Sequence, residues 1–181
     1  MPVDQASSEQ IQNWLREREP DMLALLEKIV NIDSGSYDKA GVDAVGEALR
    51  TFLESEAIET AIIPVDAHGD ALRAMVSAGR GQSNRPIMVM GHRDTVFPKG
   101  EAARRPFKIE GGRAYGPGVA DMKAGLVMNA FVLAAFRKFG CAPAPLVGLF
   151  TGDEEIGSPT SRPIIENEAR QARIVFNSEP G

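Results

Sequence analysis

Residues 86–94 read PIMVMGHRD, and residues 146–155 read LVGLFTGDEE. Each stretch is a short apolar run that ends in charged side chains, which is typical of a strand buried on both faces. A third run, ARIVFN at residues 172–177, is followed closely by Glu179. The sequence therefore predicts three buried strands that each deliver polar side chains to one end of a sheet.

Helical periodicity separates these strands and fills the N-terminal part of the chain. The predicted helices cover residues 8–30 (as one or two helices), 40–56, 122–139 and 158–171. Two further strands are predicted at residues 61–65 and 71–77, and a surface hairpin at residues 107–115. Because strands alternate with helices, we expect an α/β fold with a mixed, largely parallel sheet flanked by helices.

Composition excludes several classes of protein. The chain has 181 residues, a formal net charge of −5 and one cysteine, Cys141. The negative charge argues against a nucleic-acid partner, and one cysteine excludes a disulfide framework. The N-terminus shows no signal peptide, and the most apolar stretch, residues 124–136, is too short to span a bilayer. We therefore expect a cytoplasmic protein with no membrane partner.

Histidine and carboxylate side chains follow all three predicted strands or precede the apolar helix. They are His92 and Asp94, Asp153, Glu154 and Glu155, Glu179, and Asp121 before the helix. Ligands bind at the carboxyl ends of strands in open α/β sheets, so these side chains are expected to converge. One imidazole with several carboxylates suits zinc and similar divalent ions, and a cation would relieve the repulsion between the carboxylates.

Two spacings refine this prediction. Alternate side chains of an extended segment share a face, so Asp94 is placed to accept a hydrogen bond from the second ring nitrogen of His92. Glu154 and Glu155 are adjacent just past a predicted strand and can point in different directions, which would let one bind metal while the other transfers a proton.

Each residue also has a purely structural interpretation. His92 fits an ordinary histidine at the end of a strand, and Asp121 fits a helix cap. The acidic residues 153–155 fit a solvated turn, and Glu179 fits a free surface carboxylate. For each residue taken alone, these structural interpretations stay open. The predicted convergence of all of them at one edge of the sheet favours a metal site.

Four ordered motifs resemble those of the co-catalytic zinc carboxypeptidase and aminoacylase family, and most closely its bacterial glutamate carboxypeptidases. They are MGHRDTVFP (residues 90–98), RAYGPGVADMKAGL (113–126), TGDEEIGS (151–158) and FNSEPG (176–181). The resemblance implies that residues 1–181 form the N-terminal portion of a metallopeptidase catalytic domain. The lid or dimerisation domain, the C-terminal portion and a second metal-binding histidine are expected to lie outside this sequence.

The resemblance also implies two zinc ions and a role for each candidate residue. The metal ligands would be His92 and Glu179 on one ion, Glu155 on the other, and Asp121 bridging both. Asp94 would orient His92, and Glu154 would be the general base. The peptide bond between Asp121 and Met122 is expected to be cis.

The activity implied is hydrolysis by a metal-activated water that releases a glutamate-like C-terminal amino acid from a small peptide or an N-acyl amino acid. Co²⁺ or Mn²⁺ would also suit these ligands. The whole protein is expected to form a homodimer, and the 181-residue chain alone to bind one metal weakly with little or no activity. The alternatives are a deacylase of N-acyl amino acids and a non-catalytic remnant that binds a partner.

Overall fold

A computed structural model describes residues 5–79 and 84–180. Residues 1–4, which begin the stretch inspected for a signal peptide, lie outside the described residues. So does Gly181, the last residue of the FNSEPG motif.

The described residues form helices and strands that alternate along most of the chain. The helices are α1 (Gln5–Glu17), α2 (Glu19–Val30), α3 (Lys39–Ser55), α4 (Glu101–Arg104), α5 (Ala124–Phe139) and α6 (Arg162–Gln171). The strands are β1 (Glu59–Ile63), β2 (Ala71–Val76), β3 (Ile87–His92), β4 (Lys108–Glu110), β5 (Arg113–Tyr115), β6 (Leu146–Thr151) and β7 (Ile174–Asn177).

Five strands form one mixed sheet in the order β1-β2-β6-β3-β7. Strands β6, β3 and β7 run parallel, whereas β2 pairs antiparallel with both β6 and β1. Strands β4 and β5 form the separate predicted hairpin. The predicted fold class, an α/β protein with a mixed sheet flanked by helices, is thus confirmed, and its parallel part holds all three strands that carry candidate site residues.

Helices cover both faces of the sheet. Helices α1, α2, α3 and α5 bury the larger core, in which Phe52 and Phe131 stack with ring centroids 4.5 Å apart and Trp14 packs against Phe131. On the opposite face, Ile164 and Ile165 of α6 pack against a smaller cluster around Met88 and Leu149. All six residues of β6 are buried, as expected for a strand covered on both faces.

The apolar helix before the last two strands is a core helix. The apolar segment at residues 124–136 is part of a longer helical stretch, Val119–Phe139, which contains α5. By length and composition alone this stretch could cross a membrane, so the expectation that it is too short does not hold. However, 61% of its most apolar window is buried inside the protein. An apolar helix of a folded core has this property.

Element boundaries differ from the predicted ones for identifiable reasons. The predicted helix at residues 8–30 is divided into α1 and α2, and Pro20 lies in the first turn of the second helix, where its missing N–H costs no hydrogen bond. Strand β1 stops at Ile63, before Pro64, which cannot donate to a ladder. Helix α6 starts at Arg162 because the residues before it bond to a buried carboxylate described below.

Candidate metal centre

The carboxyl ends of the three parallel strands lie side by side. His92 is the last residue of β3 and pairs with Thr151 at the end of β6. Glu154 follows β6 in a short 3₁₀ turn, and Glu179 follows β7 by two residues. The structure therefore brings the candidate side chains together at one edge of the sheet, as predicted from the three strand ends.

His92, Asp121 and Glu179 form the tightest group of potential ligands. The Nε2 atom of His92 lies 3.3 Å from Oδ1 of Asp121 and 3.4 Å from Oε1 of Glu179, and the three ligand atoms all lie within 4.8 Å of one another. Nitrogen and oxygen ligands bind zinc at about 2.0–2.2 Å, so two ligands of one ion stand roughly 3–4 Å apart. The spacing of the three side chains fits one divalent cation.

Asp121 lies inside a distorted helical segment. The segment Val119–Lys123 has non-helical backbone angles at Asp121 and Met122, and the peptide bond between these two residues is cis. Neither this segment nor α5 after it has a side-chain hydrogen bond at its N-cap, so Asp121 does not act as the helix cap that was its structural alternative. Lys123 is buried and donates from Nζ to the carbonyl of Ile29 in α2 and to that of Ile32 just after this helix, which anchors the segment.

Asp94 connects the centre to the loops around it. Its fully buried carboxylate accepts hydrogen bonds from Ser36 Oγ (2.7 Å) and from the backbone N–H groups of Glu154 and Glu155 (3.1 Å each). Its Oδ1 lies 3.3 Å from Nδ1 of His92, and its own carbonyl oxygen lies 3.0 Å from the same nitrogen. One carboxylate thus fixes both the ring of His92 and the turn that carries the two glutamates.

The two glutamates occupy different positions, as their adjacency predicted. Glu154 is half exposed, and its Oε2 lies 3.7 Å from Nε2 of His92, at the open side of the centre. Glu155 is partly buried and lines a neighbouring cleft, and the group of three ligands does not include it. Its role on a second metal ion therefore stays a prediction.

Glu179 is held in place through the residue before it. Ser178 donates from its hydroxyl to Oδ1 of Asn129 (2.7 Å) on α5, and Asn129 in turn donates to the carbonyl of Met90 in β3 (3.0 Å). A Cβ atom at Gly125 would lie 2.4 Å from the carbonyl oxygen of Ser178, so only glycine allows this close approach. Glu179 is less than a third exposed, unlike a free surface carboxylate.

Arg93 supports the strand ends from behind and was not identified from the sequence. Its side chain is fully buried and donates to the carbonyls of Thr151 and Val42 (3.2 Å each) and of Asp70. Burial lowers the pKa of its guanidinium to about 10, against the opposing effect of nearby aspartates. The sequence feature that could have identified Arg93 is its position between His92 and Asp94. Because alternate side chains of an extended segment point to opposite faces, its side chain points away from theirs.

Asp153 is a second structural residue at this edge. Its buried carboxylate accepts bonds from the backbone N–H groups of Thr160 (2.7 Å) and Ser161 (3.0 Å) and from both of their hydroxyls. Burial opposes its ionisation, but these bonds outweigh that effect and lower its pKa. Asp153 thus folds the loop before α6 against the end of β6, and the sequence alone did not separate it from Glu154 and Glu155.

The electrostatics of the centre follow from gathering several carboxylates around one imidazole. Burial disfavours the charged form of His92, but Asp94, Glu179 and Glu154 outweigh it and raise its pKa to about 9. For Asp94, hydrogen bonds from His92 and Ser36 outweigh burial and lower the pKa. Burial and neighbouring carboxylates raise the pKa values of Glu155 and Glu179. A bound divalent cation would relieve the repulsion between the carboxylates at this edge of the sheet.

Comparison with solved structures supports the fold. The chain superposes on human carnosine dipeptidase 1 with a TM-score of 0.79 at 15% identity, over 95% of this chain and 41% of that one. It superposes on an M20 family metallo-carboxypeptidase from Sulfolobus solfataricus with a TM-score of 0.74 at 20% identity, over 88% of this chain and 37% of that one. At these identities the likeness shows the fold alone.

Sequence comparison identifies the family. The chain is 34% identical to carboxypeptidase G2 of Pseudomonas sp. (strain RS-16) over 168 residues, which cover 91% of this chain and 40% of that protein. It is 31% identical to acetylornithine deacetylase of Pasteurella multocida (strain Pm70), over 74% of this chain and 35% of that protein. The chain thus spans well under half the length of both relatives. Residues 88–181 match the description "Peptidase family M20/M25/M40", and the chain belongs to that family.

Proposed function

We propose that the protein is a metal-dependent hydrolase that releases an amino acid from a small peptide or an N-acyl amino acid. The observation that carries this proposal is the group formed by His92, Asp121 and Glu179 at the ends of the parallel strands, with Glu154 beside it. The family relationship supports amide hydrolysis as the reaction class.

The donor set fits a divalent cation. Among the described residues, His92 lies within ion-pair distance of four carboxylates, those of Asp94, Asp121, Glu154 and Glu179, so negative charge exceeds positive charge at this site. We propose zinc, with Co²⁺ or Mn²⁺ as metals that the same ligands accept. In the whole protein we propose two zinc ions, with Asp121 shared and Glu155 binding the second.

The roles of the residues follow from their positions. A bound divalent cation supplies Lewis-acid polarisation of the substrate carbonyl and lowers the pKa of bound water. His92, Asp121 and Glu179 hold the cation, and Asp94 keeps the ring of His92 in the orientation that presents Nε2. Glu154 accepts a proton from the attacking water and passes it to the leaving nitrogen, which a half-exposed carboxylate beside the centre is placed to do.

Two substrate classes are proposed, in order of preference. The resemblance of the four motifs supports a carboxypeptidase that removes a glutamate-like residue, and carboxypeptidase G2 is among the relatives. Matches to acetylornithine deacetylase and to succinyl-diaminopimelate desuccinylases support the second candidate, a deacylase of N-acyl amino acids. A homodimeric whole protein and a cytoplasmic location stay predictions.

The test separates metal binding from proton transfer. Zinc titration of the whole protein is combined with an assay of its hydrolysis of N-acyl-L-glutamate. Glu154→Ala is expected to abolish turnover and retain zinc, whereas Glu155→Ala is expected to weaken zinc binding. If neither change alters turnover or zinc content, the site assignment is wrong, and zinc binding without hydrolysis of any N-acyl amino acid would favour a non-catalytic remnant.

A further inference from the structure

The backbone N–H of His92 bonds to a side chain and not to a neighbouring strand. It donates to the thioether of Met122, with 3.1 Å between the nitrogen and Sδ, and both residues are buried. The N–H of Arg93 donates to the carbonyl of Thr151 in β6, so the N–H of His92 points the other way, towards β7. The pairing of β3 with β7 ends at Met90. At His92, sulfur therefore accepts the hydrogen bond that a strand carbonyl would otherwise accept.

Two glycines form the slot that holds the end of the Met122 side chain. A Cβ atom at Gly91 would lie 2.3 Å from Cε and 2.9 Å from Sδ of Met122, and one at Gly125 would lie 2.9 Å from Cε. Met122 itself is 0% exposed. Because a larger side chain at either glycine would displace the thioether, β3 and the start of α5 together fix the position of the sulfur.

Met122 connects two segments that carry candidate metal ligands. It directly follows Asp121 in the chain, and its sulfur holds the backbone of His92. Oδ1 of Asp121 lies 3.3 Å from Nε2 of His92, although the side chain of Asp121 is 56% exposed. A carboxylate so open to solvent depends on its backbone to keep such a distance. The bond from His92 to Met122 provides this support, because it ties the residue after Asp121 to the end of β3.

A thioether suits this place by its chemistry as well as by its shape. Sulfur is a weak hydrogen-bond acceptor, whereas an aliphatic side chain accepts no hydrogen bond. Leucine has a similar volume and would fill the slot, but it would leave the buried N–H of His92 without an acceptor. The backbone of His92 is then expected to move towards another acceptor, which changes the position of Nε2 relative to Asp121.

We propose that Met122 is a positioning residue of the metal centre, and that its sulfur fixes the distance between His92 and Asp121. The inference rests on the proposed function, because it assumes that these two side chains bind a cation. Loss of a partner that orients a metal ligand typically weakens metal binding by roughly 10–100-fold. Because sulfur is a weak acceptor, we expect the lower end of this range, about 10-fold.

Met122→Leu in the whole protein tests the proposal, and Met88→Leu is the matched control. Met88 is a buried methionine of β3 that packs in the smaller core cluster on the opposite face of the sheet. Met122→Leu is expected to weaken zinc binding about 10-fold and to change the visible spectrum of the Co²⁺-loaded protein, which reports the geometry of the ligands. Met88→Leu is expected to change zinc affinity by less than ~2-fold and to leave the spectrum unchanged. Equal zinc affinities and equal spectra for the two variants would overturn the proposal.

Replacement of the sulfur atom alone provides a second test, which holds even if Met122→Leu fails to fold. Selenomethionine keeps an acceptor of the same shape, whereas norleucine has a CH₂ group in place of sulfur. Norleucine at all methionines is expected to weaken zinc binding about 10-fold, and selenomethionine to change it by less than ~2-fold. In Met122→Leu, norleucine is expected to add less than a ~2-fold loss. An unchanged zinc affinity in the norleucine protein would overturn the proposal.

The proposed function and the role of Met122 fail in different ways. If the wild type binds zinc and Glu179→Gln lowers its zinc content, but Met122→Leu and Met88→Leu behave alike, only the role of Met122 is wrong. If the wild type binds no zinc, the proposed metal centre fails, and the role of Met122 fails with it.

Discussion

Replacing Asp94 with Asn tests whether one buried carboxylate organises the metal centre. In the structure, Oδ1 accepts from the backbone N–H of Glu154, and Oδ2 accepts from that of Glu155 and from Ser36 Oγ. An asparagine has one oxygen and one NH₂ group in the same positions. Either orientation therefore points a donor at the N–H of Glu154 or of Glu155, and that N–H loses its acceptor.

The structure gives the size of the effect. A buried donor left without an acceptor costs about 1–3 kcal/mol, so the free energy of unfolding of Asp94→Asn is expected to fall by that amount. Loss of a carboxylate that supports a metal-bound histidine typically weakens metal affinity by roughly 10–100-fold. For zinc this corresponds to about 1.4–2.7 kcal/mol of binding free energy.

The assay combines urea unfolding with calorimetric titration of zinc, and Asp33→Asn is the matched control. Asp33 accepts two backbone bonds, from Gly100 N (2.6 Å) and Ala102 N (2.8 Å), but takes no part in the group of metal ligands. Asp33→Asn is expected to lower stability while zinc affinity changes by less than ~2-fold, as for independent sites. Unaltered zinc affinity in Asp94→Asn, or an equal loss in the control, would refute the reasoning.

Three further predictions concern the support of the site and of the fold. Arg93→Met removes the donor of three buried carbonyls and is expected to lower the free energy of unfolding by about 3 kcal/mol or more; a urea midpoint near that of the wild type would contradict this. Gly125→Ala places a Cβ against Ser178 and is expected to cost about 1–3 kcal/mol and to weaken zinc binding, whereas a variant with unchanged zinc affinity would show that the chain adjusts elsewhere. Asp70→Asn removes the ion pair with Lys39 and is expected to cost about 0.5–1 kcal/mol. Hydrogen bonds lower the pKa of Asp70 in the folded state, against the opposing effect of burial. The loss of stability in Asp70→Asn is therefore full above the ordinary pKa of about 3.9 and disappears as the pH falls through the folded-state pKa. Melting curves of both proteins across pH 2–7 would show this.

The sequence predicted most of the fold because its apolar runs are unambiguous. The runs at residues 86–91 and 146–151 contain no charged residue and are too short for a buried helix, and both became strands. The order of the strands was not predictable in the same way. The antiparallel pairing of β2 with β6 depends on contacts between residues about 75 positions apart, which local periodicity does not encode.

The convergence of His92, Asp121 and Glu179 was predicted because parallel strands end at the same edge of a sheet. The supporting residues were harder to identify. Asp153, Glu154 and Glu155 are consecutive acidic residues that the sequence does not distinguish. The turn after β6 directs the carboxylate of Asp153 to the N–H groups of Thr160 and Ser161, and it leaves the two glutamates without this role. Ser36 lies 58 residues from Asp94, and its role emerges only when the chain is folded.

The most direct test of the account is the location of a bound metal ion. Crystals of the chain grown with zinc are measured at the zinc absorption edge, and an anomalous difference map is calculated. We predict a peak about 2.0–2.2 Å from Nε2 of His92 and from one carboxylate oxygen each of Asp121 and Glu179. The absence of a peak at this edge of the sheet, or a single peak elsewhere in the chain, would contradict the proposed metal centre.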